Sequence, residues 1–223
     1  MIIGEDGGIK MIQTMTVGMM QEHAYFFIDE TTKHGFLIDP GAEGENILRY
    51  IQEQGLIIEK ILLTHGHFDH IGAVNFLKEA LNIPVVIHEA GKQYLEDPMW
   101  NLSGAFGTPF SVGAADEYVK ENDEIILEAA PDMKLRVIHV PGHTLDGVAY
   151  YCEKRGVVFV GDILFAGSVG RSDFPGGNGS MLLNGIKEKL FTLPGDTLVC
   201  SGHGETTTIQ HEATTNPCFN YYI

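Results

Sequence analysis

The stretch ILLTHGHFDHIG, residues Ile61–Gly72, holds three histidines and one aspartate within six positions, directly after an apolar run. The apolar run predicts a buried strand, and the polar cluster lies where that strand ends. His65 and His67 are two positions apart, so extended backbone would place both side chains on one face. Asp69 and His70 follow as the next helix begins and can face a neighbouring point. Because zinc favours imidazole nitrogen and carboxylate oxygen, the stretch predicts two partly built metal sites.

Three later strand ends offer the ligands that such a pair of sites still needs. VIHVPGHT places His143 after a strand, VVFVGDILF places Asp162 after another, and LVCSGHGE places His203 after a third. Each of these residues follows an apolar run and a glycine, which would let the backbone pass close to the metals. Rigid strands are good platforms for a precise site.

The order T-H-G-H-F-D-H, G-H-T, G-D and G-H-G resembles the metallo-β-lactamase superfamily, from about residue 11 to the C-terminus. Within it, the chain looks like the glyoxalase II-like hydrolases, which cleave hydroxyacyl thioesters. FAGSVGRSDFPGG, Phe165–Gly177, resembles the segment after the bridging aspartate in short bacterial members of that group. GHGETTTIQHEATTNP is similar to their C-terminal signature.

The resemblance implies an α/β fold, a four-layer αββα sandwich, with two divalent metal ions as cofactors. Zinc is the expected metal, with iron or manganese as alternatives. By the resemblance, one metal is bound by His65, His67 and His143, the second by Asp69, His70 and His203, and Asp162 bridges both. Asp69 and Asp162 are then the expected catalytic residues, together with a metal-bound hydroxide.

The expected reaction is hydrolysis of thioesters such as S-D-lactoylglutathione to a hydroxy acid and a thiol. Two metals can share a water and make it a hydroxide near neutral pH, and that hydroxide attacks the carbonyl carbon. A thiolate leaves unaided because a thiol pKa is about 8.5, so no further general acid is required. The alternatives are a mononuclear iron persulfide dioxygenase and a lactonase on the same fold. A β-lactamase fits the metal motif less well, and a nuclease fits the net charge less well.

Two further residues are candidates near the metals. Asp39, in LIDPG, ends a strand and is expected to orient a ligand histidine without itself binding the metal. The alternative is a plain Asp-Pro-Gly turn. Arg171 follows a glycine-rich loop and is expected to hold the carboxylate or thiol part of the substrate; the alternative is a surface arginine. His139 is interpreted as a packed strand residue rather than a ligand.

The chain departs from the family pattern at three places. GHTLDG has Leu145 and Asp146 where G-H-T-P-G is usual, which can alter the turn that carries His143. The C-terminal helical domain of full-length glyoxalase II enzymes is not expected here, which leaves the natural thiol open. Residues 1–10 are expected to be an N-terminal extension to one hydrolase domain over 11–223.

The remaining segments alternate between strand-like and helix-like patterns and predict two sheets packed face to face with helices outside. AYFFID and HGFLIDP predict a hairpin, and GENILRYIQEQG predicts a helix that ends at Gly55. GSMLLNGIKEKLF predicts a helix with Ser180 as a candidate N-cap. Residues 99–115 predict a long loop.

The net charge, hydropathy and cysteine content of the chain limit the partners and the location that can be expected. A formal net charge of −16, without a basic cluster, argues against nucleic acid and leaves a small-molecule thioester as the expected partner. No apolar run reaches the roughly 20 residues that cross a bilayer, and no signal peptide is evident, so a cytoplasmic location is expected. The three cysteines predict reduced, buried thiols. The oligomeric state is not predicted.

Overall fold

The computed structural model describes residues 11–106 and 108–219, and the strands within these residues build two six-stranded sheets. The first sheet contains, in spatial order, β1 (Ile12–Val17), β2 (Glu22–Ile28), β3 (His34–Ile38), β4 (Ile57–Leu62), β5 (Val85–His88) and β6 (Glu117–Val119). Strands β1 to β3 are antiparallel neighbours, whereas β3 to β6 run parallel. The proposed N-terminal extension, residues 1–10, lies outside the described residues.

The second sheet comes from the later part of the chain. Its strands are β7 (Glu124–Ile126), β8 (Lys134–His139), β9 (Val148–Cys152), β10 (Val157–Gly161), β13 (Leu198–Ser201) and β14 (Thr207–Thr208). Their spatial order is β14-β13-β10-β9-β8-β7, and β10 and β13 are its parallel pair. A short ribbon of β11 (Leu164–Phe165) and β12 (Ser168–Val169) follows β10.

Helices connect the strands of both sheets. They are α1 (Gly44–Gln54), α2 (Phe68–Ile71), α3 (Val74–Leu81), α4 (Lys92–Glu96), α5 (Ser103–Phe106), α6 (Gly179–Gly185) and α7 (Ile209–Thr215). Helix α6 continues as a π-helical turn, Ile186–Leu190, and 3₁₀ turns occupy Glu89–Gly91, Glu153–Arg155 and Pro217–Phe219. Among the described residues, none of these helices is both long and apolar enough to span a membrane.

Apolar side chains hold the layers together. Between the sheets, the rings of Tyr25 and Phe27 on β2 each lie 5.4 Å from the ring of Phe159 on β10. On the outside of the first sheet, α1 and α3 bury Ile47 and Leu77. On the outside of the second sheet, α6, its continuation and α7 bury a separate apolar cluster. The arrangement is an αββα sandwich, so the predicted fold is confirmed.

The predicted hairpin and the helix that ends at Gly55 are both present, and Gly55 adopts a left-handed conformation with φ of 62°. The predicted N-cap Ser180 is wrong, because it lies inside the first turn of α6. Asn178 holds the extended position before that turn, and its side chain accepts a hydrogen bond from the Met181 N–H at 3.0 Å. The predicted loop 99–115 contains the short helix α5.

The described cysteines form no disulfide. Cys152 and Cys200 are buried within the second sheet, as expected, while Cys218 is half-buried. The thiols therefore behave as small apolar side chains in this fold.

Candidate metal centre

The seven residues predicted as metal ligands come from four separate connections, and the fold brings all of them to one edge of the sandwich. Four follow β4 directly, in the turn and in α2, and three follow later strands: His143 lies between β8 and β9, Asp162 follows β10, and His203 follows β13. Because β10 and β13 are parallel, Asp162 and His203 leave their strands at the same end. Their mutual approach is a consequence of topology.

His65, His67 and His143 form a buried cluster, with exposures of 2%, 3% and 4%. His67 Nδ1 lies 3.0 Å from His143 Nε2. The ring centre of His65 lies 4.8 Å from that of His67 and 4.9 Å from that of His143. Each residue offers one ring nitrogen to a common point, and these nitrogens lie within 4.8 Å of one another.

Asp69, His70 and His203 form a second cluster with the same spacing of potential ligand atoms. His203 Nε2 lies 3.3 Å from Asp69 Oδ2. His70 is fully buried, whereas the His203 side chain is about one-quarter exposed. The second cluster therefore faces the protein surface on its His203 side.

Asp162 lies between the two clusters. Its Oδ1 is 3.3 Å from His70 Nε2 and 3.6 Å from His203 Nε2, while its Oδ2 is 3.7 Å from His143 Nε2. One carboxylate oxygen thus faces each cluster. This is the geometry that a bridging ligand requires, although bridging itself stays a prediction.

Asp39 lies behind both clusters. Its Oδ2 is 3.0 Å from His70 Nδ1 and accepts a 2.5 Å hydrogen bond from the Thr64 hydroxyl. Since that hydroxyl proton points to Asp39, the Thr64 oxygen can accept from His65 Nδ1, 3.1 Å away. Asp39 therefore orients one histidine of each cluster and turns Nε2 of each ring toward its cluster.

Backbone carbonyls set the remaining ring orientations. His143 Nδ1 donates to the Arg171 carbonyl at 2.7 Å, and His203 Nδ1 donates to the Met20 carbonyl at 3.1 Å. In each ring Nε2 then faces its cluster, in position to bind a cation. The segments that carry Arg171 and Met20 are thus part of the support of the site.

The histidines of the two clusters differ in electrostatics. Burial, reinforced by neighbouring imidazoles, holds the pKa of His65 well below its usual value and lowers that of His67 to about 3. Burial would also lower the pKa of His70, but Asp162 and Asp69 outweigh it and raise that pKa well above its usual value. The first cluster is therefore neutral at neutral pH, while the second concentrates negative charge around one histidine.

The two predicted catalytic carboxyl groups stay ionised in this environment. Burial alone would raise the pKa of Asp162 and of Asp69. The nearby histidines lower these pKa values by more than burial raises them. His70, His143 and His203 act on Asp162, and His70 and His203 act on Asp69. The pKa of each carboxyl group therefore lies below its usual range, and both can offer charged oxygens to a cation.

Sequence reasoning missed Glu22 on β2. Its side chain is 1% exposed, its Oε1 lies 3.7 Å from His70 Nδ1, and neither carboxylate oxygen has a hydrogen-bond partner among the described residues. Burial raises the pKa of Glu22 well above its usual value. Glu22 begins the apolar strand β2, and nothing local in the sequence signals its approach to His70.

Asp146, noted only as a departure from the usual turn, is also fully buried. Burial raises the pKa of its carboxyl group to about 7, against opposing contributions from Thr144 and from the backbone of Gly66. Gly66 separates two predicted ligands, so Asp146 lies beneath the loop that carries them.

The side chain of Arg171, predicted to bind substrate, is engaged within its own loop. Its Nε and a terminal nitrogen donate to the carboxylate of Asp173 at 2.7 and 2.8 Å, and its guanidinium lies 3.9 Å from the centre of the Phe174 ring. The carbonyl of Arg171, rather than its side chain, contacts a predicted ligand. A substrate-binding role for the side chain remains a prediction.

His139 packs on β8 as expected, with its ring stacked 3.8 Å from that of His88. Burial and the His139 ring lower the pKa of His88 to about 4. Neither residue belongs to a described group of potential metal ligands. The two rings therefore pack together where β5 and β8 end.

The residues present fit a pair of divalent cations. Five imidazoles and two carboxylates suit a first-row transition metal. Three atoms that face the clusters, His65 Nε2, His70 Nε2 and Asp162 Oδ1, are buried without a well-aligned hydrogen bond in the described chain, and the last two face each other at 3.3 Å. Since buried polar atoms normally have partners, these three indicate that a cation completes the site. The donor set does not select between zinc, iron and manganese.

Comparison with known proteins places this geometry in context. The family model of the metallo-beta-lactamase superfamily matches residues 18–203. The chain is 42% identical over 207 residues to the probable metallo-hydrolase YqgX of Bacillus subtilis, covering 92% of this chain and 96% of the relative. It is 32% identical over 210 residues to the hydroxyacylglutathione hydrolase GloC of Haemophilus influenzae, covering 94% and 98%.

Solved structures with related sequences share the fold. The BLEG-1 B3 metallo-beta-lactamase matches with a TM-score of 0.89 and 36% identity, over 94% of this chain and 100% of that one. TTHA1623 in a di-iron-bound form matches with a TM-score of 0.80 and 40% identity, over 92% and 98%. ETHE1 from Myxococcus xanthus matches with a TM-score of 0.74 and 29% identity, over 93% and 84%.

Proposed function

We propose that this protein hydrolyses thioesters. The proposal starts from its family: the chain belongs to the metallo-beta-lactamase superfamily and is a metallo-hydrolase. The observation that carries the proposal is the convergence of six potential ligands around a seventh, Asp162, whose two oxygens face different clusters. The similarity to a hydroxyacylglutathione hydrolase supports the same substrate class. We propose zinc as the metal and a small molecule, rather than nucleic acid, as the substrate.

Divalent cations held by these residues would supply Lewis acidity and bring the pKa of a bound water toward neutrality. The residues of the chain supply orientation and charge. Asp39 holds His70 directly and His65 through Thr64, so these rings keep their Nε2 atoms turned toward the clusters. Asp162 and Asp69 remain ionised, since their pKa values lie below the usual range.

The chemistry of the leaving group favours a thioester over an amide. An amine needs a proton before it can leave, whereas a thiol with a pKa of about 8.5 can leave as the thiolate. Hydrolysis of a thioester therefore requires no proton donor besides the groups already described.

A persulfide dioxygenase is the second candidate, favoured by the similarity to ETHE1. A persulfide dioxygenase needs one iron, held by two histidines and an aspartate. The close approach of His203 Nε2 to Asp69 Oδ2, 3.3 Å, supports a second cation position instead. One iron per chain, with oxygen uptake on glutathione persulfide, would decide for the dioxygenase.

The proposed function is tested by assaying the purified protein against S-D-lactoylglutathione, a lactone and the cephalosporin nitrocefin, with metal content measured on the same sample. We expect thioester hydrolysis that is lost with a chelator and restored by Zn²⁺. His65→Ala should remove it, while His211→Ala, a change in an exposed residue of α7, should not. Turnover by a verified metal-free sample, or undiminished turnover by His65→Ala, would contradict the proposal.

A further inference from the structure

Three phenylalanines from separate loops form a continuous surface beside the candidate metal centre. Phe68 begins α2, Phe106 ends α5, and Phe174 lies in the segment between β12 and α6. The rings of Phe68 and Phe106 are stacked at 6.2 Å between centres, and that of Phe174 meets Phe106 edge-on at 5.8 Å. We call Phe68, Phe106 and Phe174 the aromatic wall.

The aromatic wall adjoins the first histidine cluster and is open to solvent. The ring of Phe174 lies 6.0 Å from that of His67. Phe106 is 56% exposed, and the other two rings are partly exposed. The Phe68 N–H donates to the carbonyl of Asn101, which ties the loop before α5 to the loop that carries the predicted ligands. An apolar surface held open next to a reactive centre indicates a subsite for an apolar part of the substrate.

The charges around the aromatic wall do not suit an anionic group. Arg171 is the cationic side chain in contact with it, and both of its interacting nitrogens are paired with Asp173. That pair is solvent-exposed and neutral overall. The protein carries a net charge of −16. Among the described residues, a charged thiol carrier such as glutathione would find no unpaired cationic side chain in contact with the aromatic wall. An apolar acyl group would lose water-exposed surface against three aromatic rings.

We propose, resting on the proposed thioester hydrolysis, that the aromatic wall is the acyl subsite. The preferred substrates are then thioesters of apolar acyl groups about the size of phenylacetyl, rather than of small hydroxy acids. The preference belongs to the acyl half of the substrate and is independent of the thiol.

The test crosses two acyl groups with two thiols. S-D-lactoyl and S-phenylacetyl thioesters of glutathione and of N-acetylcysteamine are assayed with the zinc-loaded wild-type protein. We expect kcat/KM to be about tenfold higher for phenylacetyl than for lactoyl on both thiols, a difference that one hydrophobic subsite can supply.

Phe106→Ala isolates the contribution of the wall, because the exposed Phe106 side chain can be shortened without opening the core. This variant should lower kcat/KM for phenylacetyl about tenfold and leave the lactoyl value within about twofold. Phe106→Leu should restore most of the loss. Phe76→Ala is the matched control, since Phe76 is also a partly exposed phenylalanine, 43% exposed, but lies on α3.

The outcomes separate this inference from the proposed function. Hydrolysis of both acyl groups without a phenylacetyl preference would overturn the acyl subsite alone. An equal loss for both acyl groups in Phe106→Ala, or a preference that follows the thiol, would overturn it as well. Absence of hydrolysis with all four thioesters would overturn the proposed function and this inference together.

Discussion

At the scale of single residues, Asp39 connects the two halves of the candidate metal centre. It takes a left-handed conformation with φ of 49° directly after β3, which is uncommon for a residue other than glycine. From that position Oδ1 accepts the Thr64 N–H at 2.7 Å, and Oδ2 contacts both the Thr64 hydroxyl and His70. One carboxylate therefore supports a ring in each cluster.

Asp39→Asn should weaken the binding of cations without unfolding the protein. The amide removes the negative charge that favours a protonated Nδ1 on His70, and such partners typically change metal affinity 10–100-fold. We expect a fall of about that size in Zn²⁺ affinity, measured by competition with a chromophoric chelator. Asp132→Asn is the control, because Asp132 is exposed and pairs with Lys154. Equal affinities in the Asp39 variant and the wild type would contradict the role assigned to Asp39.

Asp146 should make the stability of the metal-free protein depend on pH. Its folded pKa, about 7, lies above the unfolded value near 4, so the folded state binds more protons between these two values. The stabilisation is complete below about pH 4 and is lost as pH rises toward 7, by up to about 4 kcal/mol. Asp146→Asn should remove this slope, seen as urea unfolding free energies from pH 4 to pH 8. Parallel profiles for the two metal-free proteins would contradict the assignment.

The seven ligand candidates could be predicted from sequence because each follows an apolar run, and four lie within six positions. Glu22 could not, because it lies at the start of the apolar strand β2 and meets His70 only when β2 packs beside α2. The aromatic wall was missed for a similar reason, since its three rings come from loops that meet only in the folded protein. The side-chain pairing of Arg171 with Asp173, two residues later, depends on the conformation of the folded loop.

At the scale of elements, the ends of β10 show how a strand positions the site. Gly156 precedes β10 with φ of 60°, and Gly161 ends it with φ of 49°. A Cβ on Gly156 would meet no atom within 4 Å, whereas one on Gly161 would lie 2.1 Å from the Thr64 hydroxyl oxygen. Close packing of Gly161 against Thr64 joins the end of β10 to the end of β4, where the loop that carries the first four ligand candidates starts.

Gly161→Ala and Gly156→Ala form a matched pair that tests this packing. Gly156→Ala should cost about 1–2 kcal/mol in unfolding free energy, because alanine is strained in a left-handed conformation. Gly161→Ala should cost more, because its Cβ would also overlap the Thr64 side chain. Only Gly161→Ala should also lower thioester kcat/KM, on the order of tenfold to a hundredfold, since it displaces Thr64 and with it His65. Equal kcat/KM losses in the two variants would show that the contact with Thr64 does not position the site.

Most elements follow from periodicity, including the hairpin of β2 and β3 and the central strands of the second sheet. Strand β1 was not predicted, because IQTMTV lies at a sheet edge and is only partly buried. Strands β11, β12 and β14 have two residues each, too few for a periodic signal. The N-cap of α6 was misplaced by two positions because Asn178 and Ser180 both have capping chemistry, and local geometry decides between them.

At the scale of the whole molecule, the site gathers negative charge in an acidic protein. Glu22, Asp39, Asp69 and Asp162 lie around His70, and the net charge is −16. Mutual repulsion of buried carboxylates opposes folding unless positive charge is present. Cations bound to the folded state should therefore stabilise the whole fold and not only the site.

Removal of metal should lower the thermal stability of the protein. At a free Zn²⁺ concentration 100 times the Kd, each of the two sites adds about 2.7 kcal/mol, so a chelator should lower Tm by roughly 10–20 °C in a chain of this length. Differential scanning calorimetry with chelator, and again after Zn²⁺ is added back, measures this shift. A Tm that is unchanged by verified metal removal would mean that the cations do not bind to the folded state as described.

The central claim, that the fold holds two cations between seven side chains, is tested most directly by anomalous X-ray diffraction from crystals of the metal-loaded protein. We expect two anomalous peaks per chain, one within ligand distance of His65, His67 and His143, the other within ligand distance of Asp69, His70 and His203. Asp162 should reach both peaks. A single peak, or peaks remote from these residues, would contradict the account.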